Sequence, residues 1–178
     1  MWISKSLWYN LYMKKKILDA FYAYEENENK EGVSNDTAAI TVPMTIITNM
    51  IHSRGKYIYE EYDLTQAEID VLVALHIYKE GLTATEVSER LVFSSGGISK
   101  VVTKLEFKKL IYKKNSKEDK RSSLLYLEEK GRKIVIECFP LFQKNDAYFY
   151  DVLNDTEKEI VEKAFKKIIY SIAEEKEK

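Results

Sequence analysis

Two groups of side chains in this 178-residue sequence have the types and spacing needed to hold a polyanion. Ser95, Ser99, Lys100, Thr103 and Lys104 recur at helical spacing, opposite an apolar stripe of Ile98, Val102 and Leu105. Ser99 and Thr103 carry hydroxyls able to donate hydrogen bonds, and Lys100 and Lys104 are point charges suited to phosphate. Lys104 serves equally well as a solvated lysine. The second group is Lys114, Lys117, Asp119, Lys120 and Arg121. Arginine is scarce here: of 28 basic residues only Arg54, Arg90, Arg121 and Arg132 are arginines. Asp119 either aims the planar Arg121 fork or forms a surface ion pair worth about 0–1 kcal/mol. The surrounding lysines favour the first role.

Both groups lie in a basic block. From Ala84 to Lys133 there are 13 Lys and Arg against 7 Asp and Glu, a net of +6. The remainder holds 15 basic and 22 acidic residues, a net of −7. A basic block in an acidic chain is the footprint of a polyanion partner, though solvated faces share it. Motifs for catalysis are missing: no glycine-rich phosphate loop, Cys-x-x-Cys pair, His-Glu-x-x-His or nucleophile elbow occurs, so an enzyme is not expected. Gly96-Gly97 lacks the preceding strand and following lysine of a phosphate loop. Two His and one Cys at no ligand-like spacing argue against a metal site, and no cofactor is expected. No apolar run approaches a membrane span. The single Cys138 excludes an internal disulfide and fits a reducing, cytoplasmic setting.

Few glycines (six) and prolines (two) argue for a mainly helical fold. Residues 1–24 predict a helical extension, with Leu7, Leu11, Leu18 and Phe21/Tyr22 on one face. Lys5 and Lys14-Lys15-Lys16 interrupt it, so a signal peptide is not expected, and Met13 is an alternative start to Met1. The acidic, polar residues 25–41 predict a mobile linker. Pro43 is expected to open a junction helix over 42–63. Thr65-x-x-Glu68 and Thr83-x-x-Glu86 are capping boxes that start two further helices, and Gly81 ends the first. A serine of Ser94-Ser95 caps a third helix, running to about Lys109. The period then switches to two strands, 110–114 and 122–127, around a charged tip. A helix–turn–helix followed by a hairpin is a winged helix, here spanning 64–127. Residues 128–178 return to helix. Pro140 is a candidate kink, and Asp155 starts the last helix, with Ile160/Val161, Ala164/Phe165, Ile168/Ile169 and Ile172 on its apolar side.

From about Leu64 to Lys144 these residues resemble the MarR family of bacterial winged-helix transcription regulators. The similarity rests on Leu64-Thr65-Gln66 with Leu72 and Leu75, and on Thr85-Glu86-Val87-Ser88 with Leu91. It continues through Ile98-Ser99-Lys100, Val102 and Lys104-Leu105-Glu106. Asp119-Lys120-Arg121 matches the family's Asp-x-Arg wing signature, and Leu127 to Gly131 resembles its Leu-Thr-x-x-Gly exit with Glu128 in place of Thr. There are departures. Lys108-Lys109 stands where Lys-Gly is usual, Lys113 replaces a wing-strand arginine, and Gly96-Gly97 begins the recognition helix without side chains that could read a base.

The resemblance implies a homodimer on double-stranded DNA, with half-sites about one helical turn apart, near 10 bp. The helix at 95–109 would enter the major groove, leaving direct readout to Ser95, Ser99, Lys100 or Thr103. Arg121 would enter the minor groove from the wing (about 111–127), flanked by Lys114, Lys117 and Lys120. The terminal helices would pair across the two-fold axis; packing within one monomer is the alternative for their apolar stripes. Repression relieved by a small-molecule effector is implied too, aromatic acids and phenols being common in the family. His52, Arg54, Tyr57 and His76 are the candidates near such a pocket, beside Tyr59 and Tyr62, although tyrosines and a lone histidine here serve equally as core. Cys138 lies away from the N-terminal sensor cysteine of some relatives and reads as a small buried hydrophobe. A winged helix used only for protein contacts is the alternative function.

Overall fold

A computed structural model describes residues 15–19, 21–22, 26, 37–91, 95–115 and 123–175. The chain divides into two compact units, Met1–Ser53 and Arg54–Lys178. In the first, residues 15–19 are helical, and most of the expected front extension and linker lies outside the described residues.

Helix α1 (Ala38–Glu60) begins earlier than Pro43. The amides of Ile40 and Thr41 donate to the Thr37 carbonyl at 3.2 and 2.9 Å, so Thr37 fixes the start. Ala38 and Ala39, good helix formers, carry the first turn. Pro43 therefore lies inside the helix and the expected linker ends short of residue 41. Pro43 is the sixth residue of the helix, so its missing N–H leaves the Ala39 carbonyl without its i→i−4 donor. At the other end, Asp63 adopts a left-handed φ of 53°. Its amide donates to Glu60 O, and that of buried Leu64 to Tyr59 O, both at 3.0 Å, closing the helix in a Schellman motif.

Both expected capping boxes form. Thr65 and Glu68 start α2 (Gln66–Ile77), and Thr83 and Glu86 start α3 (Ala84–Arg90). In the second box the Thr83 amide and hydroxyl both donate to Glu86, which holds its carboxyl below the usual range. Between these helices Gly81 takes φ 86°, and a Cβ there would lie 2.6 Å from the Tyr126 ring. Strand β1 (Leu82–Thr83) follows. Two residues are too few to show alternation, so no periodicity announces it. Helix α4 spans Ser95–Phe107 and stops short of Lys109.

The wing strands are β2 (Ile111–Asn115) and β3 (Ser123–Leu127). Together with β1 they make a three-stranded antiparallel sheet in the order β1-β3-β2. Helix α5 (Glu129–Tyr150) runs through Pro140. Gly131 lets it approach the sheet: a Cβ there would meet the Leu110 carbonyl oxygen at 2.2 Å. Helix α6 (Asp155–Glu175) is capped by Asn154, whose side chain accepts from the Glu157 amide while its own amide donates to Glu157. Ile58, Leu72, Val87, Leu105, Leu110, Leu125, Val135 and Cys138 form the centre of the core. Burial of apolar surface among these elements is the main force setting α4 against α2, α3 and the sheet. Among the described residues, no helix is long and apolar enough to cross a membrane.

Candidate nucleic-acid interface

Helix α4 shows a buried and an open face. Ile98, Val102 and Leu105 are 0–3% exposed. Ser99, Lys100, Thr103 and Lys104 lie on the exposed face, as the spacing predicts. Ser95 is the first residue of the helix. The Thr103 hydroxyl donates to the Ser99 carbonyl at 2.9 Å. Without DNA its proton is directed to that carbonyl, and the oxygen's lone pairs are left to accept from a partner. Mid-helix threonines satisfy their hydroxyl this way when nothing else is in reach.

The C-terminus of α4 is tied to the α1–α2 corner. Lys109 takes a left-handed φ of 55°. Its amide donates to Glu106 O at 2.9 Å, and that of Leu110 to Leu105 O at 3.0 Å. A lysine thus fills the C′ position where glycine is the usual residue. Lys108 donates to the Asp63 carbonyl and sits 3.5 Å from the carboxylates of both Asp63 and Glu68. Glu68 is buried, and its second oxygen, Oε1, has no partner. These residues, with Glu60, Leu64, Thr65, Thr103, Lys104 and Phe107, line an open cleft of about 780 Å³.

Register gives the two wing lysines different faces. Lys113 pairs with Leu125, and Ile111 with Leu127, both partners buried. The alternation of a strand places Lys113 on this inward face, where its ammonium meets Glu106 of α4 at 2.6 Å. Tyr112 and Lys114 fall on the opposite face, where Tyr112 stacks on Tyr126 at 5.4 Å. Lys114 is exposed. Lys117, Asp119, Lys120 and Arg121 lie outside the described residues. Sequence reasoning missed the roles of Lys108 and Lys113, because each partner lies across a change of element that periodicity cannot span.

The effector candidates have different surroundings within their own units. His52 and Tyr57 are exposed on α1. The Arg54 guanidinium lies 3.9 Å over the Tyr148 ring, a cation–π contact. The His76 ring packs 5.8 Å from Phe139, with Nδ1 buried and without a hydrogen-bond partner. Tyr148 and Phe139 are nine residues apart on α5, about 13 Å along the axis, so Arg54 and His76 occupy separate places. Arg54, Tyr57 and His76 are not among the residues that line the cleft beside Lys108. Tyr59 is buried, and Tyr62 donates to Glu137 at 2.9 Å. Burial and the Glu137 carboxylate push the Tyr62 hydroxyl up to about 12. Cys138 is buried, and burial pushes its thiol up to about 11. No group of His, Cys, Asp and Glu among the described residues could hold a metal ion.

Known proteins are similar to this chain in sequence and in fold. Residues 54–138 match the family described as transcriptional regulator SarA/Rot. An HTH-type transcriptional regulator of Bacillus cereus is 31% identical over 124 residues, covering 68% of this chain and 80% of that protein. The HTH-type transcriptional regulator MhqR of Bacillus subtilis is 28% identical over 110 residues, 52% of this chain and 76% of its own. In fold, the chain is similar to Staphylococcus aureus MepR in a DNA complex, with TM-score 0.68 and 22% identity over 78% of this chain and 99% of MepR. It is also similar to apo MarR of Escherichia coli, with TM-score 0.63 and 20% identity over 72% and 96%. With a winged helix, an open α4 face and relatives that are transcription regulators, the chain belongs to the HTH-type transcriptional regulators and has the fold of MarR and MepR.

Proposed function

We propose that this regulator binds a pseudo-palindromic promoter site in double-stranded DNA as a homodimer, with α4 in the major groove. The observation that carries this reading is the open face of α4, where Ser99, Lys100 and Lys104 stand opposite a fully buried stripe. Lys100 and Lys104 position the helix on phosphates, and Ser95, Ser99 and Thr103 reach base edges. Lys114, Lys117 and Lys120 add positive potential along the wing, and Arg121, aimed by Asp119, enters the minor groove. MepR, a fold neighbour, is a protein captured on DNA, which supports the same docking here.

Helix α6 supports the dimer. Asp155 to Glu174 are all exposed, including Ile160, Phe165, Ile168, Ile169 and Ile172. A 21-residue helix with an uncovered apolar stripe needs a partner surface, and a second copy of the same helix supplies one. The regulator acts in the cytoplasm by occluding a promoter, and an effector acts by releasing it. Selection from random-sequence duplexes, followed by sedimentation of the protein alone and on the selected duplex, tests this. A palindromic consensus with two chains per duplex is expected. A selection that enriches no sequence would overturn it.

A further inference from the structure

Lys113 occupies the strand position where a DNA-facing wing charge would be expected, yet it faces inward. Its ammonium meets the Glu106 carboxylate at 2.6 Å, with the two side chains 44% and 32% exposed. Glu106 lies on α4 between Leu105 of the buried stripe and the left-handed corner at Lys109. Lys113 lies on β2 directly across from buried Leu125. Only Lys108 to Leu110 separate the helix from the strand, and the left-handed turn at Lys109 sets the direction in which the hairpin leaves the helix. Glu106–Lys113 is a polar link across that turn.

We propose that Glu106 and Lys113 form a positioning pair that fixes the angle between the recognition helix and the wing, and so the DNA shape the protein selects. The inference rests on the DNA-binding reading above. A wing held at one angle meets the minor groove only where the intervening DNA has matching twist and groove width. A slack wing keeps its general attraction to DNA but selects less. Lys114, on the opposite strand face, is then the charge that meets phosphate.

Electrostatics alone makes the opposite prediction for one partner. Glu106→Gln removes a negative charge beside a polyanion, so a purely electrostatic Glu106 would bind DNA more tightly when neutralised. A positioning Glu106 would lose selectivity. The test uses the full-length protein, with the enriched duplex and a scrambled duplex of the same composition, in fluorescence anisotropy across a salt series. The variants are Glu106→Gln, Lys113→Gln, Lys114→Gln and the charge swap Glu106→Lys/Lys113→Glu.

Each single change in the pair should lower the ratio of selected to scrambled affinity by about fivefold, the upper range for a partly exposed ion pair. The swap, which keeps net charge and pairing, should recover most of that ratio. Lys114→Gln should instead weaken binding to both duplexes and make the salt slope shallower by about 0.9 for each phosphate it no longer neutralises. Unchanged or increased selectivity in Glu106→Gln overturns the proposal. So does a swap variant that binds no better than Lys113→Gln, since Lys113 would then touch phosphate itself. Wild-type protein that distinguishes no duplex overturns the DNA reading and the pair together, whereas selective wild type with an indifferent pair overturns the pair alone.

Discussion

The ammonium of Lys108 lies 3.5 Å from the carboxylate of Glu68, a side chain only 2% exposed. Glu68 accepts from the Thr65 amide and hydroxyl to start α2, and Lys108 also donates to the carbonyl that ends the α1 turn. One cation near the end of α4 thus neutralises the start of α2 and closes the end of α1. Breaking a buried pair by deleting one partner costs far more than the pair is worth intact, because the other charge is stranded. Lys108 is 25% exposed, so water offsets part of that cost. Lys108→Met should destabilise the protein by about 2 kcal/mol in urea unfolding at fixed protein concentration. Adding Glu68→Gln to Lys108→Met should return part of the loss, because no buried charge remains. A Lys108→Met variant with wild-type stability would show that the pair is only a surface contact.

Lys109 carries a side chain at φ 55°, where most residues are strained and glycine is not. Lys109→Gly relieves that strain but frees the unfolded chain, two effects of similar size and opposite sign. Because glycine is the preferred C′ residue, relief should win, raising stability by about 0.5–1 kcal/mol. The denaturation midpoint should rise with an unchanged slope. A lower midpoint would mean that the Lys109 side chain contributes more than its backbone costs.

Burial holds the Cys138 thiol neutral, raising it from 9.0 to about 11. The thiolate is the reactive form, so alkylation by iodoacetamide at pH 8 should be at least about 100-fold slower in the folded protein than in denaturant. The sign of the pH effect follows. The unfolded chain loses this proton first, so stability should fall as the pH rises from about 9 towards 11, and Cys138→Ala should flatten that fall. Rapid alkylation of the folded protein would reopen a sensor role for this residue.

How legible this molecule was in its sequence depends on the range of the interaction. The boxes Thr65–Glu68 and Thr83–Glu86 and the stripe Ile98–Val102–Leu105 are local, so spacing alone located α2, α3 and α4. Pro43 is no marker of the helix start, because Thr37 and the two alanines begin the helix five residues earlier and the helix continues through the one hydrogen bond that the proline removes. Strand β1 is created by its partner β3, through Leu82 with Leu125 and Thr83 with Leu124, and has no signal of its own. In the candidate interface, the exposure of Ser99, Lys100, Thr103 and Lys104 followed from helical phase. The direction of the Thr103 hydroxyl and the inward turn of Lys113 did not, because they depend on neighbours at Ser99 and Glu106 that only three dimensions supply.

The central claim is that the open face of α4 and the wing hold DNA. Anisotropy titrations of wild type, Lys100→Gln and Arg121→Ala against the selected duplex, across a salt series, test it most directly. Wild type should bind with a steep salt dependence, each neutralised phosphate contributing about −0.9 to the log–log slope. Lys100→Gln should shallow the slope by about 2 for a dimer, and Arg121→Ala should cost at least about tenfold in affinity. Salt-insensitive binding, or two variants indistinguishable from wild type, would contradict the account.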